Sequence, residues 1–181
     1  MLKINIVIVT YNRLNLLKEA VRAAVNQTYK AHRIFIVDNC STDGTDHFLR
    51  NLEYDQITVT RMPRNIGGAG GFAEGVRLCE NSGDYDYLML IDDDAILNLD
   101  CLEALASAID KHPNIPALST VVRTNGEIDT RHRQRFAPRC LARLSNVPKA
   151  EYERDFFACD VASFCGIVIK NSIIKRIGLP E

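Results

Sequence analysis

The chain has 181 residues, 46% of them hydrophobic and 25% charged, which is enough for one domain with a buried core. Its formal net charge of −1 gives no reason to expect nucleic acid or an anionic membrane surface as a partner. No apolar run approaches the roughly 18 residues of a transmembrane helix. The six cysteines lack C-x-x-C spacing, so no zinc site is expected and a reducing cytoplasm is the predicted location.

Hydrophobic periodicity in the N-terminal part predicts alternating strands and helices. Ile4–Val9 is predicted to be a buried strand, and apolar residues at helical spacing across Leu14–Val25 predict a helix packed on the sheet. Arg33–Val37 is the second predicted strand. A Ser-Thr-Asp-Gly turn then leads into a short predicted helix at Thr45–Leu52.

The alternation continues through the middle of the chain. Strands are predicted at Ile57–Thr60 and Tyr87–Ile91, with a glycine-opened helix at Gly70–Glu80 between them. A helix at Leu99–Ile109 and a fifth strand at Leu118–Val122 follow. This order predicts an α/β fold in which helices flank a mostly parallel sheet.

The stretch from 123 to 155 breaks this alternation, because it is rich in arginine and has few aliphatic residues before Leu141. Its arginines are Arg123, Arg131, Arg133, Arg135, Arg139, Arg143 and Arg154. A solvated or partly disordered surface excursion is the favoured interpretation, and a basic lid over an anionic ligand is the alternative. Beyond it, Val161–Ile169 is predicted to be a strand and Asn171–Ile177 a helix.

Three consecutive aspartates, Asp92 to Asp94, follow the fourth predicted strand, where open α/β sheets bind their ligands. Adjacent carboxylates repel one another, and Mg²⁺ or Mn²⁺ would supply the compensating charge because these ions prefer oxygen ligands. In extended backbone, Asp92 and Asp94 face one side and Asp93 the other, so Asp92 and Asp94 are the predicted metal ligands. The alternative is a solvated loop in which one aspartate caps the following helix.

Four polar segments each follow a predicted strand, so a parallel sheet would gather them at one edge. They are Thr10–Arg13, Val37–Thr45, Arg64–Gly71 and Asp92–Asp94. In this order they resemble the inverting family 2 glycosyltransferases of the GT-A fold. The glycine run and the triple aspartate are most similar to the galactofuranosyltransferase and rhamnosyltransferase branch. The resemblance covers residues 4 to about 122, and a weaker similarity covers residues 163 to 181.

The resemblance implies a nucleotide-binding site at these strand ends. Asp38 would accept a hydrogen bond from a uracil N–H, Tyr11 would stack on the base and Thr10 would make a polar contact. Arg13 either faces a phosphate or is a surface charge, and Asn65 either contacts the ribose or sugar or holds its loop. The expected nucleotide-binding residues are Thr10, Tyr11, Asn12, Arg13, Asp38, Asn39, Asn65, Gly68, Gly70, Asp92 and Asp93.

The glycines and aspartates would hold the diphosphate and the metal. Gly68 and Gly70 let the backbone approach a ligand closely, and the helix predicted to open at Gly70 presents free N–H groups. The resemblance implies that Asp92 holds the ribose or the metal, Asp93 positions the sugar and Asp94 binds Mn²⁺ or Mg²⁺. The metal would neutralise charge on the departing nucleoside diphosphate.

The resemblance implies transfer of a sugar, with inversion, from a nucleoside-diphosphate sugar to a glycan or lipid-linked acceptor. A UDP-sugar is the expected donor, with UDP-galactofuranose and dTDP-rhamnose as candidates. The expected organisation is one domain over residues 1–181, with a nucleotide-binding part at 1–122 and an incomplete acceptor-side part at 123–181. A carboxylate base is expected beyond Glu181, and Asp160 and Glu181 are weak substitutes. Peripheral membrane association of a longer protein stays open.

Two other functions are compatible with parts of the sequence. The segment Gly68–Ala73 matches G-x-G-x-x-A, and Asp92 follows about 20 residues later, as in NAD-dependent oxidoreductases. Against this, the glycines follow the third predicted strand and the triple aspartate is left unexplained. The expected absence of the base makes a non-catalytic nucleotide-sugar-binding module the other alternative.

Overall fold

The computed structural model describes residues 1–137 and 140–179, arranged around a central sheet. The strands are β1 (Ile4–Thr10), β2 (Arg33–Asp38), β3 (Ile57–Arg61), β4 (Tyr87–Asp92), β5 (Ala117–Ser119), β6 (Arg123–Thr124), β7 (Glu127–Ile128), β8 (Arg133–Ala137), β9 (Cys140–Asn146), β10 (Val161–Ala162) and β11 (Ile167–Lys170). The helices are α1 (Leu14–Val25), α2 (Thr45–Arg50), α3 (Gly67–Ser82), α4 (Cys101–Lys111) and α5 (Asn171–Ile177). Two 3₁₀ turns span Thr130–His132 and Lys149–Glu153.

The central sheet has six strands in the order β3-β2-β1-β4-β11-β5. The first four of these are parallel, and β11 runs antiparallel between β4 and β5. The predicted α/β fold with a mostly parallel sheet is therefore confirmed. The chain adds strands outward from β1 to β3 and then returns to place β4 on the other side of β1. This reversal of direction creates the crevice at which open α/β sheets bind ligands.

Side chains alternate across the sheet and fill two apolar layers. Ile4, Ile6 and Ile8 pack against α1 and α4 on one face of β1. Val7 and Val9 point to the other face, against α3 and α5. Because both faces of β1 are covered, its residues form a nearly continuous apolar run. Within the described ranges, no helix combines the length and apolar character needed to cross a bilayer.

Two glycines let α3 approach β1 closely. A Cβ atom at Gly75 would overlap Val7 Cγ1, and one at Gly71 would lie 2.6 Å from Val9 Cγ1. By contrast, a Cβ atom at Gly68 would have no atom within 4 Å. The glycine-rich sequence therefore serves helix–sheet packing at Gly71 and Gly75, whereas Gly68 leaves open backbone at the start of the helix.

We expect Gly75→Ala to destabilise the protein. Overpacking costs about 1–3 kcal/mol, and replacement of a helical glycine by alanine recovers at most about 1 kcal/mol. The net loss should be about 1–2 kcal/mol in the free energy of unfolding, measured by urea denaturation. Gly68→Ala is the matched control and should not be destabilised. Equal urea midpoints for Gly75→Ala and the wild type would contradict the packing role of Gly75.

The segment 123–155 is largely exposed, as expected of a surface excursion, but the expectation of partial disorder was wrong for its described part. A two-stranded sheet pairs β6 with β7, and a three-stranded sheet has the order β10-β8-β9. Several of its arginines pair with carboxylates of the same segment: Arg131 with Asp129, and both Arg135 and Arg154 with Glu151. Arginine content therefore reflected local ion pairs instead of disorder. Arg139 lies outside the described residues.

Three predicted boundaries also change. The single strand predicted at Val161–Ile169 is two strands, β10 and β11, separated by a turn in which Gly166 has a φ of 83°. The predicted strand Leu118–Val122 is the shorter β5, and α3 begins at Gly67, three residues before the predicted start. Glycines cause two of these differences, because Gly166 and Gly67 both adopt positive φ values. Since β11 joins the central sheet, that sheet draws strands from both sides of residue 122.

Candidate functional site

The loops after β1 and β2 are joined by hydrogen bonds at the carboxyl edge of the sheet. The Asn12 backbone N–H donates to Ser41 Oγ at 2.9 Å, and the Asn12 side-chain oxygen accepts from the Thr42 N–H at 2.7 Å. The Asn39 N–H donates to the Thr10 carbonyl at 2.9 Å. Asn12 adopts a φ of 54°, a conformation that asparagine tolerates better than most residues. Asn12 and Asn39 therefore shape the site through contacts within the protein.

Asp43 stabilises the beginnings of two helices. Its carboxylate accepts hydrogen bonds from the Leu14 N–H at 2.9 Å and from the Thr45 N–H at 3.2 Å. These bonds satisfy groups at the N-termini of α1 and α2 that have no partner within their own helices. Asp43 therefore shapes the turn between β2 and α2.

Asp93 points into the protein, while its neighbour Asp94 is exposed. Asp93 is 3% exposed and accepts hydrogen bonds from Thr10 Oγ1 at 2.7 Å and from Arg13 Nη1 at 3.3 Å. Arg13 Nη1 also donates to Asp94 Oδ2 at 2.8 Å. Burial raises the pKa of Asp93, although the bonds from Thr10 and Arg13 oppose this shift. The sequence analysis left two roles for Arg13, a phosphate contact and a surface charge. In the structure Arg13 bridges two carboxylates, and the charges of Asp93 and then Asp94 raise the pKa of its guanidinium.

Asp92 is half-buried and lies within electrostatic reach of both Asp94 and Asp93. Burial and then the nearby charge of Asp94 raise the pKa of Asp92. Asp92 Oδ2 also accepts a weak hydrogen bond from Cys165 Sγ at 3.7 Å. Among the described residues, no group of three or more His, Cys, Asp or Glu side chains could hold a metal ion. Two carboxylates are too few ligands for Mg²⁺ or Mn²⁺ by themselves, so Asp92 and Asp94 could hold such an ion only together with oxygen atoms of water or of a bound molecule.

Asp38 lies beneath an arginine that the sequence analysis missed. Asp38 is 1% exposed, and its two oxygens accept hydrogen bonds from the Ser41 N–H at 2.9 Å and from Arg61 Nη1 at 3.0 Å. The Arg61 side chain is 35% exposed and also donates to the Ser41 carbonyl at 2.9 Å. Parallel register places Arg61 beside Asp38 at the ends of β3 and β2. The predicted third strand ended at Thr60 and so did not include Arg61, the last residue of β3.

The loop before α3 is held by two asparagines. Asn65 Oδ1 accepts from the Gly67 N–H at 2.8 Å, and Asn39 Nδ2 donates to the Gly67 carbonyl at 3.0 Å. A Cβ atom at Gly70 would meet the Ile66 side chain at 2.9 Å, so Gly70 serves packing within this loop. Gly68 is the glycine that leaves backbone accessible. The Asn65 side chain therefore contributes to the structure of its loop, and its contact with a ribose or sugar stays a prediction.

The remaining predicted residues lie at the rim of the site or outside it. The Tyr11 side chain is exposed beside the loops after β1 and β2. Asp160 accepts a hydrogen bond from the Phe136 N–H at 2.9 Å and so belongs to the small three-stranded sheet. Glu181 lies outside the described residues.

A second missed feature is the turn between β10 and β11. Cys165 reaches Asp92 from this turn, and Phe164 packs edge-to-face on Phe72 of α3 with ring centroids 4.6 Å apart. The glycine at 166 was the available signal, because it interrupts an otherwise apolar run. The turn forms a wall beside the triple aspartate.

A cavity of about 550 Å³ lies at the opposite edge of the sheet, away from these loops. Leu2, Tyr87 and Lys170 contribute to its lining. None of the predicted site residues lines it. We place the candidate site at the carboxyl edge, where the polar side chains converge.

Comparison with known proteins identifies the family of this chain. Residues 5–178 match the family model described as "Glycosyl transferase family 2". A 129-residue stretch is 26% identical to the poly(ribitol-phosphate) beta-N-acetylglucosaminyltransferase TarS of Staphylococcus aureus and covers 70% of this chain and 22% of TarS. A 91-residue stretch is 37% identical to the galactofuranosyltransferase GlfT1 of Mycolicibacterium smegmatis. It covers 49% of this chain and 28% of GlfT1. The chain thus spans about a quarter of the length of these relatives.

Solved structures share the fold at low sequence identity. The structure of S. aureus TarS 1–349 in complex with UDP superposes with a TM-score of 0.70 at 16% identity, covering 97% of this chain and 48% of that one. The mannosyltransferase PcManGT from Pyrobaculum calidifontis, solved in complex with GDP-Man and Mn²⁺, superposes with a TM-score of 0.67 at 19% identity. The match covers 98% of this chain and 47% of that one. Both are GT-A glycosyltransferases.

Proposed function

The chain belongs to glycosyl transferase family 2, and we propose that it forms the donor-binding part of an inverting glycosyltransferase that uses a UDP-sugar. The observation that carries this proposal is the placement of two recognition elements at one edge of the sheet. Asp38 with Arg61 is one of them, and Asp92 with Asp94 is the other. Family membership also argues against the dinucleotide alternative, which rested on the motif at Gly68–Ala73.

The first element matches the edge of a uracil base. Uracil presents an N–H donor between two carbonyl acceptors, so it requires a protein acceptor next to a donor. Asp38 would supply the carboxylate and Arg61, which is partly exposed, the N–H groups. Because Arg61 covers Asp38, which is 1% exposed, the guanidinium would have to move aside for the carboxylate to accept the uracil N–H. Tyr11, exposed nearby, supplies an aromatic surface for stacking. Thymine has the same edge, so a dTDP-sugar such as dTDP-rhamnose is the second candidate donor.

The second element suits the diphosphate. Asp92 and Asp94 would hold Mn²⁺ or Mg²⁺, and the bound ion would neutralise charge on the departing nucleoside diphosphate. Arg13 already balances Asp93 and Asp94, so it keeps the acidic cluster from repelling the anionic donor. The open backbone at Gly68 lets the diphosphate or sugar approach the start of α3.

The sugar would pass to a hydroxyl of a glycan or a lipid-linked acceptor that attacks the anomeric carbon from the face opposite the nucleotide. In this proposal residues 1–122 bind the donor nucleotide and residues 123–181 begin the acceptor side. Free thiols at Cys40, Cys79 and Cys165 favour a reducing, cytoplasmic location.

Calorimetric titration of UDP into the protein, with Mn²⁺ and then with EDTA, tests this function. We expect UDP affinity to fall at least about tenfold in EDTA, because the carboxylate pair repels the diphosphate when the metal is removed. GDP tests base selectivity, and NAD tests the oxidoreductase alternative. Equal affinity for UDP in Mn²⁺ and EDTA would contradict the metal assignment. NAD binding that is indifferent to metal would contradict the proposed function itself.

A further inference from the structure

Arg133, at the start of β8, is a buried cation that the proposed donor site does not use. The residue is 2% exposed, and burial lowers the pKa of its guanidinium. In the described part of the chain no carboxylate forms an ion pair with it. Its N–H groups instead donate to three backbone carbonyls, those of Thr120, of His132 at 2.6 Å and of Cys165 at 3.3 Å. A buried charge balanced only by carbonyl dipoles is costly, so these contacts must hold something in place.

The three carbonyls belong to segments that meet beside the triple aspartate. Thr120 follows β5, and Cys165 lies in the turn between β10 and β11 whose thiol contacts Asp92. The two segments are also joined directly, because the Thr120 N–H donates to the Gly166 carbonyl at 3.0 Å. The Gly166 N–H in turn donates to the Leu90 carbonyl of β4 at 3.1 Å. Arg133 thus adds side-chain bonds to a turn that is also held at its other end, where the Ser163 N–H donates to the His132 carbonyl at 3.3 Å and Phe164 packs on Phe72.

The turn has little room to shift without losing its contacts. Gly166 has a φ of 83°, and a Cβ atom there would overlap Thr120 Oγ1. A guanidinium has five N–H donors in a fixed plane, so one side chain can bind carbonyls from several segments at once. Lysine lacks this planar geometry.

We propose that Arg133 is a positioning residue that fixes the Ser163–Gly166 turn against Asp92 and so forms one wall of the donor site. The expected effect of Arg133 on nucleotide affinity rests on the proposed function. Its role in fixing the turn does not. Arg133 does not touch the donor. It acts through the Cys165 carbonyl, which places the Cys165 thiol beside Asp92.

The alkylation rate of Cys165 reports directly on the turn, because the thiol is partly buried and contacts Asp92. We would treat the protein with iodoacetamide and follow each cysteine by peptide mass spectrometry, with Cys40 as an internal reference. Arg133→Met keeps a side chain of similar length without the charge or the hydrogen bonds. We expect it to raise the labelling rate of Cys165 relative to Cys40 about tenfold, because the turn then opens locally more often. Mn²⁺-dependent UDP affinity should fall by a similar factor.

Arg135→Met is the matched control, since it removes an arginine from the same strand that pairs with Glu151 away from the site. It should leave both Cys165 labelling and UDP affinity unchanged. Arg133→Lys keeps the charge without the planar guanidinium and should give intermediate labelling. A folded Arg133→Met protein with the wild-type labelling rate would overturn the proposal. So would failure of both Arg133 variants to fold, because the role would then be global. If the wild type binds no UDP, the proposed function fails, while labelling still decides the role of Arg133.

Discussion

Asp94→Ala is expected to abolish the Mn²⁺-dependent part of nucleotide affinity while leaving the fold intact. Asp94 is an exposed side chain, and surface substitutions usually change the free energy of unfolding by at most about 0.5 kcal/mol. The substitution also removes a negative charge that raises the pKa of Asp92, so the repulsion between Asp94 and Asp92 is lost together with the proposed metal ligand. We expect UDP affinity in Mn²⁺ to fall at least about 100-fold, towards the value measured for the wild type in EDTA.

Asp100→Ala is the matched control for net charge. Asp100 is exposed just before α4, in the same loop region, and its side chain makes no hydrogen bond that caps the helix. Calorimetric titration of UDP into both variants, in Mn²⁺ and in EDTA, distinguishes the loss of a metal ligand from the loss of one negative charge. Equal losses in Asp94→Ala and Asp100→Ala would show that the acidic loop acts through net charge alone. Unchanged affinity in Asp94→Ala would remove Asp94 from the metal site.

The sequence was sufficient for the architecture because the relevant signals are local. Apolar runs such as Ile4–Val9 and Tyr87–Ile91 mark strands buried on both faces. Helical spacing between them implies crossover connections, and these bring the strand ends to one edge. The grouping of Thr10, Asp38 and Asp93 at that edge followed from topology alone, without knowledge of any side-chain contact.

Side-chain partners could not be predicted in the same way, because they depend on register and on residues distant in sequence. Arg61 contacts Asp38 only because the two strands pair in register. Thr10 and Asp93 are 83 positions apart, and the hydrogen bond between them orients Asp93 inward. Asn65 and Gly70, expected beside the ligand, bind or pack within their own loop. Their roles as ligand contacts stay predictions.

The basic segment shows a third kind of limit. Arginine is usually a solvated side chain, so composition favoured a surface excursion at 123–155. Arg133 is nevertheless buried, because three carbonyls from separate segments accept its N–H groups. Periodicity distinguishes exposed from buried apolar residues, but it cannot identify a buried arginine whose partners are backbone atoms. Only the folded chain brings those carbonyls together.

Asp38→Asn is expected to weaken uridine binding even without metal. The carboxylate of Asp38 accepts on both oxygens, whereas the amide that replaces it must direct its NH₂ group towards either Arg61 or the Ser41 N–H. Both arrangements place a donor against a donor. The substitution also removes the carboxylate proposed as the acceptor for the uracil N–H. We expect uridine affinity to fall about 10- to 100-fold and the free energy of unfolding to fall by about 1–3 kcal/mol.

Asp46→Asn is the control that distinguishes recognition of uracil by Asp38 from the positioning of Arg61 by a carboxylate partner. Asp46 also pairs with Arg61, at 3.3 Å, but it lies on α2 and is partly exposed. Its substitution leaves the bond between Asp38 and Arg61 in place, so uridine affinity should be unchanged. Titration of uridine and UDP into both variants in EDTA, at a temperature where urea curves show them folded, measures the difference. If Asp38→Asn lowers UDP affinity only in Mn²⁺ and leaves uridine affinity intact, Asp38 is not part of the base pocket. A parallel loss for uridine and UDP would instead locate its effect at the base, since the diphosphate is absent from uridine.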